Sequence, residues 1–114
     1  MTKSLILKWY RISGMPDLNS FSGSQHQIYK VKVKEESICV LLKNQKAYAF
    51  REECPHAGKS MLHSRCGEEE EITCLSHNFK FSLIDGRCTN NNEGYRLQLL
   101  KTKIDENGDI LIEV

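Results

Sequence analysis

The chain has 114 residues, with 16 lysine and arginine residues against 15 aspartate and glutamate residues, and a formal net charge of +1 at pH 7. That length fits one domain and is too short for two independent hydrophobic cores. The charge balance lacks the basic excess that a phosphate backbone or an anionic membrane selects, so we expect neither nucleic acid nor a membrane as a partner. The longest apolar runs are about a quarter or less of the roughly 20 residues needed to cross a bilayer.

The amino terminus lacks the long apolar stretch of a secretory signal, because only Leu5–Leu7 are consecutively apolar before Lys8. We therefore expect a cytoplasmic protein. Its five cysteines are an odd number, and the reducing cytosol disfavours a disulfide framework. Metal or cluster ligation is the better expectation for the cysteines that occur in paired motifs.

The apolar pattern predicts short strands, and no segment of ten or more residues has apolar positions at helical spacing next to a cap signal. In the second strand, Tyr29, Val31 and Val33 alternate with lysines, which gives one buried and one solvated face. The pair Asn107-Gly108 predicts a tight hairpin turn with positive φ angles. The expected strands in chain order are Leu5–Tyr10, Tyr29–Val33, Ser37–Leu42, Ala47–Phe50, Tyr95–Ile104 and Ile110–Val114.

Between these β-rich ends, residues 51–92 have few apolar runs, and we expect an insertion built around something other than a large core. Two motifs stand out there: Cys54-Pro55-His56 and, after 17 intervening residues, Cys74-Leu75-Ser76-His77. Each motif pairs a thiolate with an imidazole. One such pair is a weak signal, since a cysteine is often a small buried apolar residue. Two pairs on separate loops, with turn-forming residues around both, are a much stronger signal of a metal site.

These motifs resemble those of the Rieske family, in which Cys-X-His is followed by Cys-X-X-His. Other positions agree with the family pattern: Pro55 and Gly58 around the first histidine, then Phe81 and the turn Asp85-Gly86 after the second. The resemblance implies an all-β fold, a Rieske-like antiparallel β-sandwich. It also implies one domain over residues 1–114, in which residues 51–92 form a cluster-binding subdomain made of two ligand loops.

The resemblance further implies a 2Fe-2S cluster held by Cys54, His56, Cys74 and His77. The two thiolates would bind one iron, and the two imidazoles would bind the other. Neutral imidazoles in place of two anionic thiolates raise the potential, to about −150 to +300 mV against about −400 mV for an all-cysteine cluster.

Four positions depart from the respiratory, bc-type members of the family. Those proteins have an additional cysteine in each ligand loop, joined as a disulfide brace, where this chain has Lys59 and Ser76. They also have a serine and a tyrosine whose hydroxyls donate to sulfur, where this chain has Phe79 and Phe81, which donate nothing. The sequence therefore resembles the soluble, low-potential ferredoxins. Asn78 stands where a glycine usually follows the second histidine, and asparagine tolerates the left-handed backbone better than most residues.

The function implied by the resemblance is a one-electron carrier that passes electrons from a flavin-dependent reductase to an oxygenase or another acceptor. We expect a monomer that is an electron-transfer protein rather than an enzyme, because the chain has no nucleophile elbow, phosphate loop or dinucleotide fingerprint. An alternative is a small electron-input subunit of a larger reductase, similar to the small subunit of nitrite reductase.

A structural zinc module is the other alternative. The spacing His63-X2-Cys66 followed by Cys74-X2-His77 also suits tetrahedral zinc, although it leaves Cys54-Pro55-His56 without a role. Zinc on the four Rieske-type ligands is chemically possible as well. The remaining cysteines need no ligand role: Cys39 lies in an apolar strand and is expected to pack, whereas Cys66 and Cys88 are expected to be free, partly buried thiols.

Overall fold

The computed structural model describes residues 8–12, 27–43, 46–55, 58, 60–66, 70–75, 78–90 and 94–114. In these ranges the secondary structure consists of ten strands and one turn of 3₁₀ helix, Met61–His63, without an α-helix. None of the described elements is a helix long and apolar enough to span a bilayer. The strands are β1 (Trp9–Ile12), β2 (Gln27–Val33), β3 (Glu36–Lys43), β4 (Lys46–Arg51), β5 (Arg65–Cys66), β6 (Glu71–Cys74), β7 (Phe79–Ser82), β8 (Leu99–Leu100), β9 (Thr102–Ile104) and β10 (Ile110–Glu113).

The strands form three antiparallel sheets. The central sheet has the order β2-β3-β4-β8, the terminal sheet β1-β10-β9, and the inserted sheet β5-β6-β7. The inserted sheet lies in the chain between β4 and β8, which are hydrogen-bonded neighbours in the central sheet. The predicted all-β antiparallel fold is confirmed.

Strand β3 is buried on both faces, which explains its uninterrupted apolar sequence. Successive side chains of a strand point to opposite faces, so alternate residues of β3 enter two different cores. Burying each large apolar side chain stabilises the fold by about 1.5–3 kcal/mol. The core against the terminal sheet contains Ile38, Val40, Leu42, Ala47, Ala49, Ile110 and Ile112, and the core against the inserted sheet contains Cys39, Leu41, Phe50, Met61, Ile72, Phe81 and Leu97.

The strand predicted over Tyr95–Ile104 is wrong as a single element. The structure has β8 and β9 there, with Lys101 between them. Strand β8 pairs with β4 of the central sheet, whereas β9 pairs with β10 of the terminal sheet. The chain therefore crosses from one sheet to the other within this segment, and an apolar pattern does not show which sheet a residue joins.

The predicted tight Asn-Gly turn is also wrong in detail. Residues 105–109 form a longer loop, in which Gly108 has a φ of +84° but Asn107 has no positive φ. The Oδ1 atom of Asp105 accepts hydrogen bonds from the backbone N–H groups of Asn107 and Asp109, each at 2.9 Å. This aspartate-centred turn takes the place of the paired positive φ angles of a two-residue turn.

One further expectation concerns the bounds of the first predicted strand. Of the first predicted strand, Leu5–Leu7 lie outside the described residues, and β1 continues beyond Tyr10 to Ile12.

The expectation that residues 51–92 are built around something other than a large core is wrong, since many of these residues are buried in the core against the inserted sheet. Isolated apolar and sulfur-containing side chains fill that core, so no long apolar run marks it in the sequence.

We predict that Gly86→Ala destabilises the fold far more than Gly94→Ala. Both glycines have positive φ, +80° and +83°, but a Cβ on Gly86 would lie 2.1 Å from the carbonyl oxygen of Leu97, whereas a Cβ on Gly94 would meet nothing within 4 Å. The backbone conformation costs alanine about 1–3 kcal/mol at both sites. The clash adds about 1–3 kcal/mol at Gly86 alone. Urea unfolding of both variants in the same cluster state measures the difference, and equal losses would contradict this steric account.

Candidate metal centre

Both predicted cysteine ligands are buried in the same core. Cys54 is 2% exposed and Cys74 is 3% exposed, and both belong to the core between the central and inserted sheets. All five cysteines of the chain are described, and none forms a disulfide. His56 and His77 lie outside the described residues, so the four-residue ligand set stays a prediction.

The first ligand loop, residues 54–59, is closed by β-type contacts immediately outside it. Glu53 and Ser60 form an isolated antiparallel bridge, and the backbone N–H of Met61 donates to the carbonyl oxygen of Glu52 at 2.6 Å. The hydroxyl of Ser60 also donates to the carboxylate of Glu52 at 2.7 Å. Cys54 therefore directly follows a segment, Glu52–Glu53, that backbone and side-chain contacts hold against Ser60 and Met61.

A glycine is needed inside this loop for its backbone conformation. Gly58 has a φ of +68°, a region that costs other residues free energy. Its N–H donates to the carbonyl oxygen of Cys54 at 2.8 Å. A Cβ at Gly58 would meet no atom within 4 Å, so the backbone angle, rather than crowding, accounts for the glycine.

The second ligand loop, residues 75–78, joins β6 to β7. Cys74 and Phe79 face each other as the last pair of that hairpin. Asn78 leaves the loop with a φ of +58°, which agrees with the expectation that asparagine can replace glycine at this turn. Leu75 is 49% exposed, so an apolar side chain of this loop faces solvent.

The donor set suits a centre bound by thiolates. A buried thiolate without compensation is costly, because low-dielectric surroundings disfavour the charged form. A metal ion bound to sulfur removes that cost by its own charge. Two buried, unbridged thiols at the ends of two short loops therefore fit an iron-sulfur or other soft-metal centre.

The structure does not support the alternative zinc set. His63, Cys66 and Cys74 are all described, yet no three histidine, cysteine, aspartate or glutamate side chains in the described ranges come together as a metal site. His63 is exposed on the 3₁₀ helix, whereas Cys66 is only 6% exposed in β5. His63, Cys66 and Cys74 therefore do not form a common metal site, although their spacing in the sequence would allow one.

The other cysteines occupy packing positions. Cys39 is fully buried in β3, as predicted, and burial raises the pKa of its thiol to about 12, with Glu52 adding to the rise and Lys30 opposing it. Its thiol stays neutral at physiological pH. Cys66 and Cys88 are buried in the same core as the predicted ligand cysteines Cys54 and Cys74.

Asn90 is a residue that the sequence did not single out. Its Nδ2 donates to the carbonyl oxygen of Asn78 at 2.8 Å, and its Oδ1 accepts from the backbone N–H of Lys80 at 3.0 Å. The run Asn90–Asn92 indicates only a loop in the sequence. The contact between Asn90 and Asn78 joins residues 12 positions apart in the chain. No sequence motif has this spacing, so the sequence could not have identified the contact.

Comparison with known proteins gives one family and several similar structures. A family model described as the Rieske [2Fe-2S] domain matches residues 8–101. The ferredoxin of carbazole 1,9a-dioxygenase from Nocardioides aromaticivorans IC177 is 19% identical, with a TM-score of 0.74 over 91% of this chain and 95% of that chain. A putative NADH-dependent nitrite reductase small subunit from Mycobacterium tuberculosis is 13% identical, with a TM-score of 0.77 over 96% of each chain.

A third similar structure is a complex of reduced oxygenase and oxidized ferredoxin in carbazole 1,9a-dioxygenase. It is 18% identical, with a TM-score of 0.73 over 91% of both chains. No curated protein sequence matches the chain. At these identities the structural matches establish the fold.

We predict that Ser60→Ala raises the pKa of Glu52 toward its ordinary value of 4.5. That pKa is lowered mainly by the hydrogen bond from Ser60, and Lys30 lowers it further while burial opposes both. Since the folded-state pKa is depressed, the stabilisation from this carboxylate is present above pH 4.5 and is lost as the pH falls through the folded-state value.

Carboxyl-detected NMR titration of the parent and Ser60→Ala measures this change. Ser64→Ala is the matched control, because its hydroxyl contacts the sulfur of Met61 at 3.5 Å. An unchanged pKa of Glu52 in Ser60→Ala would show that the hydroxyl does not hold the loop base in solution.

Proposed function

The chain belongs to the Rieske [2Fe-2S] domain family, and we propose that it is a ferredoxin that passes single electrons from a flavin-dependent reductase to an oxygenase. The family match confirms the predicted 2Fe-2S cofactor and the predicted electron-transfer role. The proposal adds the two partners, a monomeric state and a cytoplasmic location. It rests most directly on the match of the Rieske family model to residues 8–101.

We propose that residues 51–92 form the cluster-binding subdomain, with Cys54, His56, Cys74 and His77 as the ligands. The buried positions of Cys54 and Cys74 in one core support this assignment. When bound, the cluster takes up and releases one electron without a change in its ligands. The protein supplies burial, a fixed ligand geometry and a surface through which the electron enters and leaves.

Backbone pairing restricts both ligand loops at the points where they join the rest of the fold. The Glu53–Ser60 bridge and the Cys74–Phe79 pair each lie next to a ligand cysteine. A ligand cysteine that emerges directly from a β-type pair has little freedom to move when the charge of the site changes. This restriction lowers the structural rearrangement that accompanies each electron transfer.

An oxygenase is the proposed acceptor because one similar structure is described as a complex of reduced oxygenase and oxidized ferredoxin. The exposed Leu75 in the second ligand loop supports a docking surface at that loop. Transient redox complexes bury less than about 1,200 Å², and one exposed apolar side chain beside a short loop suits such a small contact.

A permanent electron-input subunit of a reductase is the second candidate. Its supporting observation is the similarity to the putative nitrite reductase small subunit, which covers 96% of each chain. Size exclusion of native extract distinguishes the candidates, because a fixed subunit elutes with its enzyme whereas a ferredoxin elutes alone.

We predict that the purified protein contains two iron and two acid-labile sulfide ions per chain, and that His77→Ala abolishes cluster assembly while His63→Ala does not. His77 belongs to the proposed ligand set, whereas His63 is exposed on the 3₁₀ helix. Metal and sulfide analysis measures both outcomes. One zinc without sulfide, or loss of the cluster in His63→Ala, would contradict the proposed ligands.

We predict that Lys80→Glu slows electron transfer to the oxygenase by roughly threefold to tenfold, because a rim charge acts mainly on the association rate. Lys80 is exposed in β7, next to the second ligand loop. Lys32→Glu is the control, since Lys32 is exposed on β2 in the central sheet. Stopped-flow reduction of the oxygenase at two salt concentrations measures both rates, and equal slowing would argue against docking at this loop.

We predict a reduction potential well below zero, toward the low end of the Rieske range of about −150 to +300 mV. Donor hydrogen bonds to sulfur stabilise the reduced, more negative state. Phe79 stacks on Tyr95 at a ring distance of 5.8 Å and Phe81 is fully buried, and neither ring donates. Two charge-assisted bonds of about 1.5–3 kcal/mol each are a third or more of that range, which corresponds to roughly 10 kcal/mol for one electron.

A redox titration at pH 7 of the parent, Phe79→Ser and Phe81→Tyr tests this account. Each variant should raise the midpoint if its hydroxyl reaches sulfur. A parent midpoint above about +100 mV, in the upper half of the range, would show that backbone donors or burial compensate for the two phenylalanines.

A further inference from the structure

The side chain of Asn90 connects to both peptide groups that flank Phe79. Its Nδ2 donates to the carbonyl oxygen of Asn78 at 2.8 Å, and its Oδ1 accepts from the N–H of Lys80 at 3.0 Å. Its Oδ1 also lies 3.5 Å from the thiol of Cys88. We refer to the contacts with Asn78 and Lys80 as the Asn90 clamp.

The clamp begins where a backbone ladder ends. The backbone N–H of Ser82 donates to the carbonyl oxygen of Arg87 at 2.9 Å, and the backbone N–H of Thr89 donates to the carbonyl oxygen of Lys80 at 2.8 Å. Between them, Phe81 and Cys88 form an antiparallel bridge. In a continuing antiparallel ladder, the N–H of Lys80 would bond to a backbone carbonyl of the facing chain. Here that N–H bonds to the Asn90 side chain. A side-chain amide thus continues the ladder toward the second ligand loop, as asparagine side chains can when they imitate backbone groups.

The clamp acts at a residue with a left-handed backbone conformation. Asn78 has a φ of +58°, a left-handed conformation that asparagine tolerates better than most residues but that is still less favourable than its right-handed and extended conformations. All five cysteines are free of disulfides, so no disulfide restrains this loop. The contact from Asn90 holds the carbonyl of the residue that directly follows His77 in the chain.

From these contacts we propose that Asn90 is a positioning residue for the cluster. By fixing the peptide between Asn78 and Phe79, it holds the end of the loop that carries His77. The inference rests on the proposed ligand set, because it concerns His77 as a ligand. Asn90 acts through the backbone and is not itself a ligand.

The test compares cluster retention in the holoprotein, followed as the decay of visible absorbance in excess EDTA at pH 7. Asn90→Ala removes both arms of the clamp and should lose the cluster about tenfold faster, since two exposed hydrogen bonds are lost. Its electron paramagnetic resonance spectrum should also broaden, because the ligand geometry becomes heterogeneous. A purely structural role elsewhere in the fold would not change that spectrum.

Matched variants separate the clamp from a general effect of removing an asparagine. Asn107→Ala removes an exposed asparagine from the distant 105–109 loop and should have no effect. Asn90→Asp keeps an acceptor for the N–H of Lys80 but loses the donor to Asn78, so it should lose the cluster faster than the parent.

Parent-like decay and an unchanged spectrum in Asn90→Ala would overturn the inference. If that variant does not assemble a cluster, Asn90→Asp decides, and parent-like retention in Asn90→Asp would overturn the inference. A parent protein without a 2Fe-2S cluster would instead refute the proposed function before any variant is compared. The two failures are therefore distinguishable.

Discussion

Strand β3 is covered on both faces, and this double burial joins the two cores of the molecule. Ile38, Val40 and Leu42 face the terminal sheet, while Cys39 and Leu41 face the inserted sheet. The inserted sheet can therefore pack on a rigid surface although its own strands have only two to four residues. The position of both proposed ligand cysteines depends on that packing, because Cys54 and Cys74 are part of the core between the central and inserted sheets.

The two ligand loops achieve the same result by different local means. The first uses the Glu53–Ser60 bridge and the left-handed Gly58, while the second uses the Cys74–Phe79 pair and the left-handed Asn78. In each case a β-type pair fixes the chain beside the cysteine, and one residue with positive φ allows the loop to turn sharply. Rigid loop bases suit a protein that must accept and release an electron without rearranging. Burial of the Cys54 and Cys74 thiols keeps the two proposed sulfur ligands away from water.

The sequence predicted the antiparallel fold because the alternation along β2 and the apolar run of β3 are local patterns. The proposed ligand motifs, Cys-X-His and Cys-X-X-His, are local patterns as well, and the structure places their two cysteines in one core. The sequence did not predict that the residues after Tyr95 divide between two sheets, because pairing partners lie far apart in the chain. It also missed the Asn90 clamp and the core of the inserted sheet. Both consist of single side chains, such as Met61 and Asn90, whose roles arise only when distant segments meet.

The central claim is that two loops, each with one cysteine and one histidine, converge on one cluster. Pulsed electron-nuclear double resonance (ENDOR) spectroscopy of the dithionite-reduced protein, labelled with ¹⁵N in its four histidines, tests this claim most directly. The account predicts hyperfine coupling from two histidine nitrogens, which disappears for one nitrogen at a time when His56 or His77 is replaced by cysteine. Coupling from a single histidine nitrogen, or from none, in the reduced parent protein would contradict it.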